Sequence, residues 1–191
     1  SDYSFIKDLP AGASLEGFLF PDTYRVYYHT TTEDLIKKML DNFASKITAD
    51  LSQEITKQGA SLYQIVNLAS IVQQEVRKPE EMKMVAGVYK NRLDNNMLLQ
   101  SDATITYITK KNNPRPSYAD TQIDSPYNTY LYVGLPPGPI NNPGFDAITA
   151  AVYPTAHDYL FFITTLDRGE AIFSRTAEEH AAASEKFLDN Q

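Results

Sequence analysis

An α+β fold, mainly helical with short strands and one β-hairpin, is what this sequence predicts, and three observations carry it. Apolar residues recur at helical spacing behind recognisable caps, most clearly in Ser61–Val76, SLYQIVNLASIVQQEV. Two short runs rich in β-branched and aromatic residues, Tyr159–Thr164 and Ala171–Phe173, flank the turn Leu166-Asp167-Arg168-Gly169 and read as a hairpin. Between the helical part and the hairpin, residues 110–144 are irregular and rich in Asn, Pro, Ser, Asp and Tyr, the composition of a long ordered loop.

In chain order, residues 1–30 form a lead-in. Gly17, Pro21 and Asp22 punctuate its aromatic run LEGFLFPDTYRVYYHT, which predicts a short strand, a turn and a second short strand. Thr31 or Thr32 then caps a helix with Glu33 and Asp34 in its first turn, and Leu35, Ile36, Met39, Leu40, Phe43 and Ile47 supply its buried face. Residues 50–60 lead by a short helix or turn to Ser61, which forms a capping box with Gln64. At about 100° per residue, Leu62, Ile65, Val66, Ala69, Val72 and Val76 then line one stripe. Pro79 opens another helix, with Glu80 and Glu81 at its positive end and Asp94-Asn95-Asn96 as its stop. Met97-Leu98-Leu99 reads as a short buried strand, Thr104–Thr109 and Asp146–Tyr153 as helices. Thr176 and Glu179 repeat the capping-box pattern ahead of a C-terminal helix over 177–189.

Glu75 is the notable charge. It falls beside the apolar stripe, between the directions of Leu68 and Ile71, in the last turn before Pro79. There it meets the negative end of the helix dipole, and partial burial adds to the preference for its protonated form. A general acid needs that state. Position alone leaves open a plain exposed glutamate paired with Lys78.

Composition narrows the function classes. With 191 residues the chain has ample material for a core, and a formal charge of −7 with no basic run argues against nucleic acid as a partner. The absence of cysteine excludes disulfides and thiolate chemistry. Three widely spaced histidines, His29, His157 and His180, do not suggest a metal site, and no cofactor is called for. No stretch is apolar enough to cross a membrane. The opening SDYSFIKDLPAG is expected of a domain excised from a longer protein.

Five segments, EGFLFPDTY, ASIVQQEV, NRLDNNMLLQSDATITY, SPYNTYLYVGLPPGPINNPG and FSRTAEEH, together resemble the YceG/MltG family of endolytic murein transglycosylases, in the family's order and approximate spacing from Leu15 to His180. The resemblance implies one catalytic domain over 1–191 with 1–30 as lead-in. By the resemblance, the family's N-terminal membrane anchor and LysM-like region are expected to be absent from this chain, which matches the catalytic portion. It implies cleavage of the MurNAc–GlcNAc β-1,4 bond in peptidoglycan without water. One carboxylic acid protonates the leaving oxygen and then, as carboxylate, deprotonates the sugar's C6 hydroxyl, leaving a 1,6-anhydro-MurNAc end. By this resemblance Glu75 is that group. Gln100, Ser101, Asp102, Tyr127, Asn128, Thr129, Tyr130 and Pro136 fall on the segments expected to line the substrate cleft, beside the hairpin. For Ser101 or Asp102 a helix cap remains the alternative, and for Asn128 a turn residue. Glu179-His180 has contact with the site as one reading, but a lone histidine at a helix start reads first as structural.

The family's usual glutamate two positions before the acid is Gln73 here. Two helical positions differ by roughly 200°, so Gln73 and Glu75 point nearly opposite ways, and the change reads as structural. The implied partner is peptidoglycan glycan, with the cell-wall synthesis machinery as a candidate, and the implied location is the extracytoplasmic face of a bacterial membrane. A two-carboxylate muramidase using Glu75 with Asp102, or a glycan-binding domain without turnover, are the rival readings.

Overall fold

A computed structural model describes residues 3–7, 9–111, 116–165 and 170–189. Its elements run α1 (Ser4–Lys7), α2 (Thr32–Lys46), α3 (Ala49–Lys57), α4 (Leu62–Glu75), α5 (Pro79–Asp94), α6 (Asp102–Thr109), α7 (Tyr118–Thr121), α8 (Phe145–Val152), β1 (Phe161–Thr164), β2 (Ala171–Ser174) and α9 (Ala177–Ser184), with a final π-helical turn at Glu185–Asp189. The class is α+β, as expected. The two strands pair antiparallel, Phe161 opposite Ser174 and Thr164 opposite Ala171. The hairpin's predicted turn at 166–169 lies outside the described residues.

The helix starts follow their local chemistry. Thr31, not Thr32, caps α2 and forms a capping box with Asp34; Ser61 does the same for α4 with Gln64. Pro79 takes the first turn of α5, where no backbone N–H is needed. At α9 the Thr176 side chain accepts from the Glu179 N–H, but Glu179 Oε2 accepts from the Arg175 N–H instead of closing a box.

Helix α4 packs against both α5 and α8, which also pack on each other, and its burial goes beyond one stripe. All eight residues from Ile65 to Val72 are buried, Asn67 and Ser70 among them. The irregular segment draped over the helix bonds to the polar ones, although Asn67 Oδ1 has no partner among the described residues. Asn67 Nδ2 donates to the Pro136 carbonyl (2.6 Å), Ser70 Oγ accepts from the Ile140 N–H (3.0 Å), and Gln73 Oε1 accepts from the Gly144 N–H (2.9 Å). A loop without a ladder must place its backbone groups somewhere, and here they go to helix side chains.

Three expected strands, two in the lead-in and one at Met97-Leu98-Leu99, are absent among the described residues. In the lead-in, Phe18 and Phe20 turn into the core, but the N–H groups of Gly17 and Leu19 both donate to Asn142 Oδ1, at 2.8 and 3.1 Å, in place of a neighbouring strand. Gly17 has φ +95°, and a Cβ there would stand 2.6 Å from Pro139, so only glycine fits this close approach. Met97-Leu98-Leu99 likewise pairs with no strand. The Leu98 and Leu99 carbonyls accept from Arg92 Nη1 at 2.9 and 3.0 Å.

Candidate active site

Glu75 ends α4 at the floor of a cavity of about 1050 Å³. Leu99, Gln100 and Asp102 line one side of it, Tyr130 another, and Phe161–Thr165 of the hairpin a third. The Glu75 side chain is packed closely and keeps one face on the cavity. Neither Arg77 nor Lys78 turns in to neutralise it, since Arg77 is exposed and Lys78 pairs with Glu81 at 3.2 Å.

Two hydroxyls hold the carboxyl. Tyr89 OH donates to Glu75 Oε1 at 2.8 Å and Ser101 Oγ donates to the same oxygen at 2.6 Å. Oε2 takes no hydrogen bond from the described residues. Burial raises the Glu75 pKa above its ordinary value of 4.5; the Ser101 and Tyr89 hydrogen bonds pull the other way, and the Asp102 charge adds to the rise. Burial also pushes the Tyr89 phenol well above 10, so it remains a donor.

The Gln100-Ser101-Asp102 step is bent into this position. Gln100 has φ +51°, an unfavourable region for a side-chain-bearing residue. Its N–H donates to the Thr129 carbonyl (3.0 Å) and its Oε1 accepts from Arg92 Nη1 (3.2 Å). Ser101 occupies the N-cap position of α6 but makes no side-chain cap, because its hydroxyl goes to Glu75. Asp102 opens α6 and accepts a short hydrogen bond from Tyr130 OH through Oδ1. Burial and that carboxylate raise the Tyr130 pKa to beyond the usual phenol range.

Tyr127, Asn128, Thr129 and Pro136 are not among the residues that line the cavity. Asn128 is fully buried; its amide donates to the Thr121 and Ile123 carbonyls at 3.0 and 2.8 Å and its Oδ1 accepts from the Tyr130 N–H at 2.9 Å. Thr129 is buried too, and its Oγ1 accepts from the Ser101 N–H at 3.0 Å. Neither lines the cavity that holds Glu75, where substrate contact was expected; their polar atoms are spent on shaping the loop that presents Tyr130 and Ser101. Tyr127 packs against Tyr107 with ring centroids 5.0 Å apart, and buried Pro136 is fixed by Asn67. Both act on shape.

Sequence reasoning missed Tyr89 and Arg92. The available signal was their spacing, for both fall on the buried face of α5 with Met82 and Val85. Arg92 is only 7% exposed and donates to the carbonyls of Leu98, Leu99 and Leu160 as well as to Gln100 Oε1. His180, read as structural, lines the cavity from α9. Nothing local in the sequence placed it there.

The chain can be compared with known proteins on this footing. A protein of Bacillus subtilis (strain 168) named endolytic murein transglycosylase is 39% identical over 178 residues, covering 93% of this chain and 49% of that protein. A protein of the same name from Streptococcus pneumoniae (strain D39) is 38% identical over 180 residues, covering 92% of this chain and 32% of that protein. The chain thus spans about half the length of the first and a third of the second. A crystal structure of a yceG-like protein from Listeria monocytogenes superposes with a TM-score of 0.82 at 39% identity, covering 88% of this chain and 55% of that one. The YceG-like family pattern itself extends over residues 3–186, from the lead-in through α9 and into the final turn. With a match of that extent, the chain belongs to the YceG-like family.

Proposed function

We propose that this domain is the catalytic portion of an endolytic peptidoglycan lytic transglycosylase, with Glu75 as its single acid and base. One observation carries the reading: a carboxyl at the floor of a large cavity, raised in pKa by burial, with both hydroxyl donors on one oxygen. Fixing Oε1 leaves Oε2 to carry the proton. Delivered to the glycosidic oxygen, that proton leaves a carboxylate whose charge the Tyr89 and Ser101 hydroxyls stabilise. The same carboxylate then takes the C6 hydroxyl proton as that oxygen closes on C1, giving the 1,6-anhydro-MurNAc end. Burial raises the acidity constant's pKa and the two donors restrain it, which suits a group that must act in both directions.

Asp102, tied to Tyr130, supports the positive charge developing on the sugar ring. Its place on the same cavity also favours the second reading, a muramidase in which Glu75 and Asp102 share the work with water. The substrate is peptidoglycan glycan, attacked on the extracytoplasmic side of the bacterial membrane, with the wall-synthesis machinery as the setting. Mass spectrometry of muropeptides released from purified sacculi tests the proposal. Anhydro-MurNAc ends are expected; reducing MurNAc ends would transfer the assignment to the muramidase. No release at all, by a protein that still binds glycan, would leave a binding domain.

A further inference from the structure

One wall of the cavity carries two nitrogen groups that the acid–base chemistry does not use, placed around the Phe161 ring. The His180 imidazole stacks on that ring at 5.3 Å between centroids and 28° between planes. The Arg92 guanidinium carbon lies 4.9 Å from the same ring centroid. Both residues line the cavity that holds Glu75.

Their bonding is incomplete in a particular way. Arg92 spends Nε and Nη1 on four protein oxygens, while Nη2 has no partner among the described residues and is not sealed off. His180 Nδ1 is buried without a partner among the described residues, and Nε2 is not among the atoms buried in that way. A buried N–H without an acceptor costs more than a buried lone pair, which fixes the tautomer: Nδ1 bare, Nε2 carrying the hydrogen. Burial and the Arg92 charge both hold the ring neutral, in keeping with that assignment. Beside the Phe161 ring the wall therefore offers two donors, one of them charged.

We propose that His180 Nε2–H and Arg92 Nη2 form a substrate subsite that grips an acyl oxygen of the glycan beside the Phe161 ring. A carbonyl or carboxylate oxygen brings only lone pairs and so matches a pair of donors more fully than a hydroxyl, which must also place its own hydrogen. In peptidoglycan such oxygens belong to the 2-acetamido group and to the 3-O-lactyl group. The subsite rests on the glycan reading above and assigns His180 to binding, not to proton transfer.

Calorimetric titration of the Glu75→Gln protein, silenced so that the glycan persists, tests it with two probes: chitohexaose, which has acetamido groups alone, and peptide-free murein strands, which add the lactyl group. Adding His180→Phe keeps a ring on Phe161 and removes both nitrogens; adding His180→Gln keeps an N–H donor. His180→Phe should weaken binding about fivefold, the worth of one hydrogen bond, and His180→Gln should stay within about twofold of the parent. Weakening for both probes assigns the acetamido oxygen, and weakening for murein strands alone assigns the lactyl oxygen. Equal affinity of His180→Phe and its parent overturns the subsite and leaves the function proposal standing. Equal loss in His180→Phe and His180→Gln also overturns it, since the donor would then be irrelevant. A Glu75→Gln parent that binds neither probe overturns both proposals together.

Discussion

Ser101 Oγ donates a 2.6 Å hydrogen bond to Glu75 Oε1, joining residues 26 apart in the chain. It does so from the N-cap of α6, where a serine hydroxyl ordinarily accepts from its own helix. The hydroxyl is diverted from a local bond to a distant carboxyl, and that diversion places it among the groups that set the acidity of Glu75. Removing it, in Ser101→Ala, should raise the Glu75 pKa further, because the hydrogen bond lowers it. A general acid works while protonated, so the alkaline limb of the pH–rate profile should move to higher pH. A limb that stays put would separate Ser101 from the acid.

Asp102→Asn should move the same limb the other way. The Asp102 charge raises the Glu75 pKa, and the amide does not. Activity should fall only in part, since Asp102 supports charge without transferring the proton. A loss as deep as that of Glu75→Gln would instead favour the two-carboxylate muramidase, and the end groups of the products would settle the matter.

Glu75→Gln should reduce turnover by at least about 10²–10⁴-fold. Its effect on stability depends on pH. With the folded pKa above the unfolded one, the native state holds the proton more tightly. Glu75 therefore loses stability for the fold as pH rises from the ordinary carboxyl range through its folded pKa. The glutamine has no such slope. Melting temperatures of the two proteins should coincide most closely in acid, and the variant should gain on the parent toward neutral and alkaline pH.

Gln73→Glu should not restore activity to Glu75→Gln. Gln73 Oε1 already accepts the Gly144 N–H on the other side of α4, and a glutamate can accept the same bond. Assays of the double variant on sacculi check this. Recovered anhydro-muropeptide release would sink the geometric argument.

Arg92→Met should be costly to the fold. It leaves the carbonyls of Leu98, Leu99 and Leu160 without their charged donor, in a region where water does not replace it freely. Hydrogen bonds to charged groups are worth roughly 1.5–3 kcal/mol each, so urea unfolding should show a loss of about 3 kcal/mol or more. A loss under about 1 kcal/mol would mean that Gln100 keeps its φ of +51° by other means.

How far the sequence could be read depended on the range of the interactions. Thr31 with Asp34, Ser61 with Gln64 and Pro79 act within one turn, and each helix begins where its cap predicts. The placement of Glu75 at the end of α4, away from Gln73, follows from helical geometry alone; its pKa is raised in the expected direction, with burial in the folded chain as the main cause. The lead-in strands and the Met97-Leu98-Leu99 strand failed for the opposite reason. Their composition suits a strand, but their hydrogen bonds go to Asn142 and Arg92, side chains that composition does not reveal.

The sequence by itself therefore determined the helical frame, the two paired strands and the place of Glu75 at the end of α4, because caps and periodicity are written within a few residues. Only the tertiary structure decided what surrounds that carboxyl. Tyr89 and Ser101 reach one of its oxygens from two other elements, Arg92 bends Gln100 into place, and α9 returns His180 to the same cavity. The physical reason is that hydrogen-bond donors and buried acceptors are interchangeable in composition. Which ones meet is settled when α4 is enclosed by the rest of the chain.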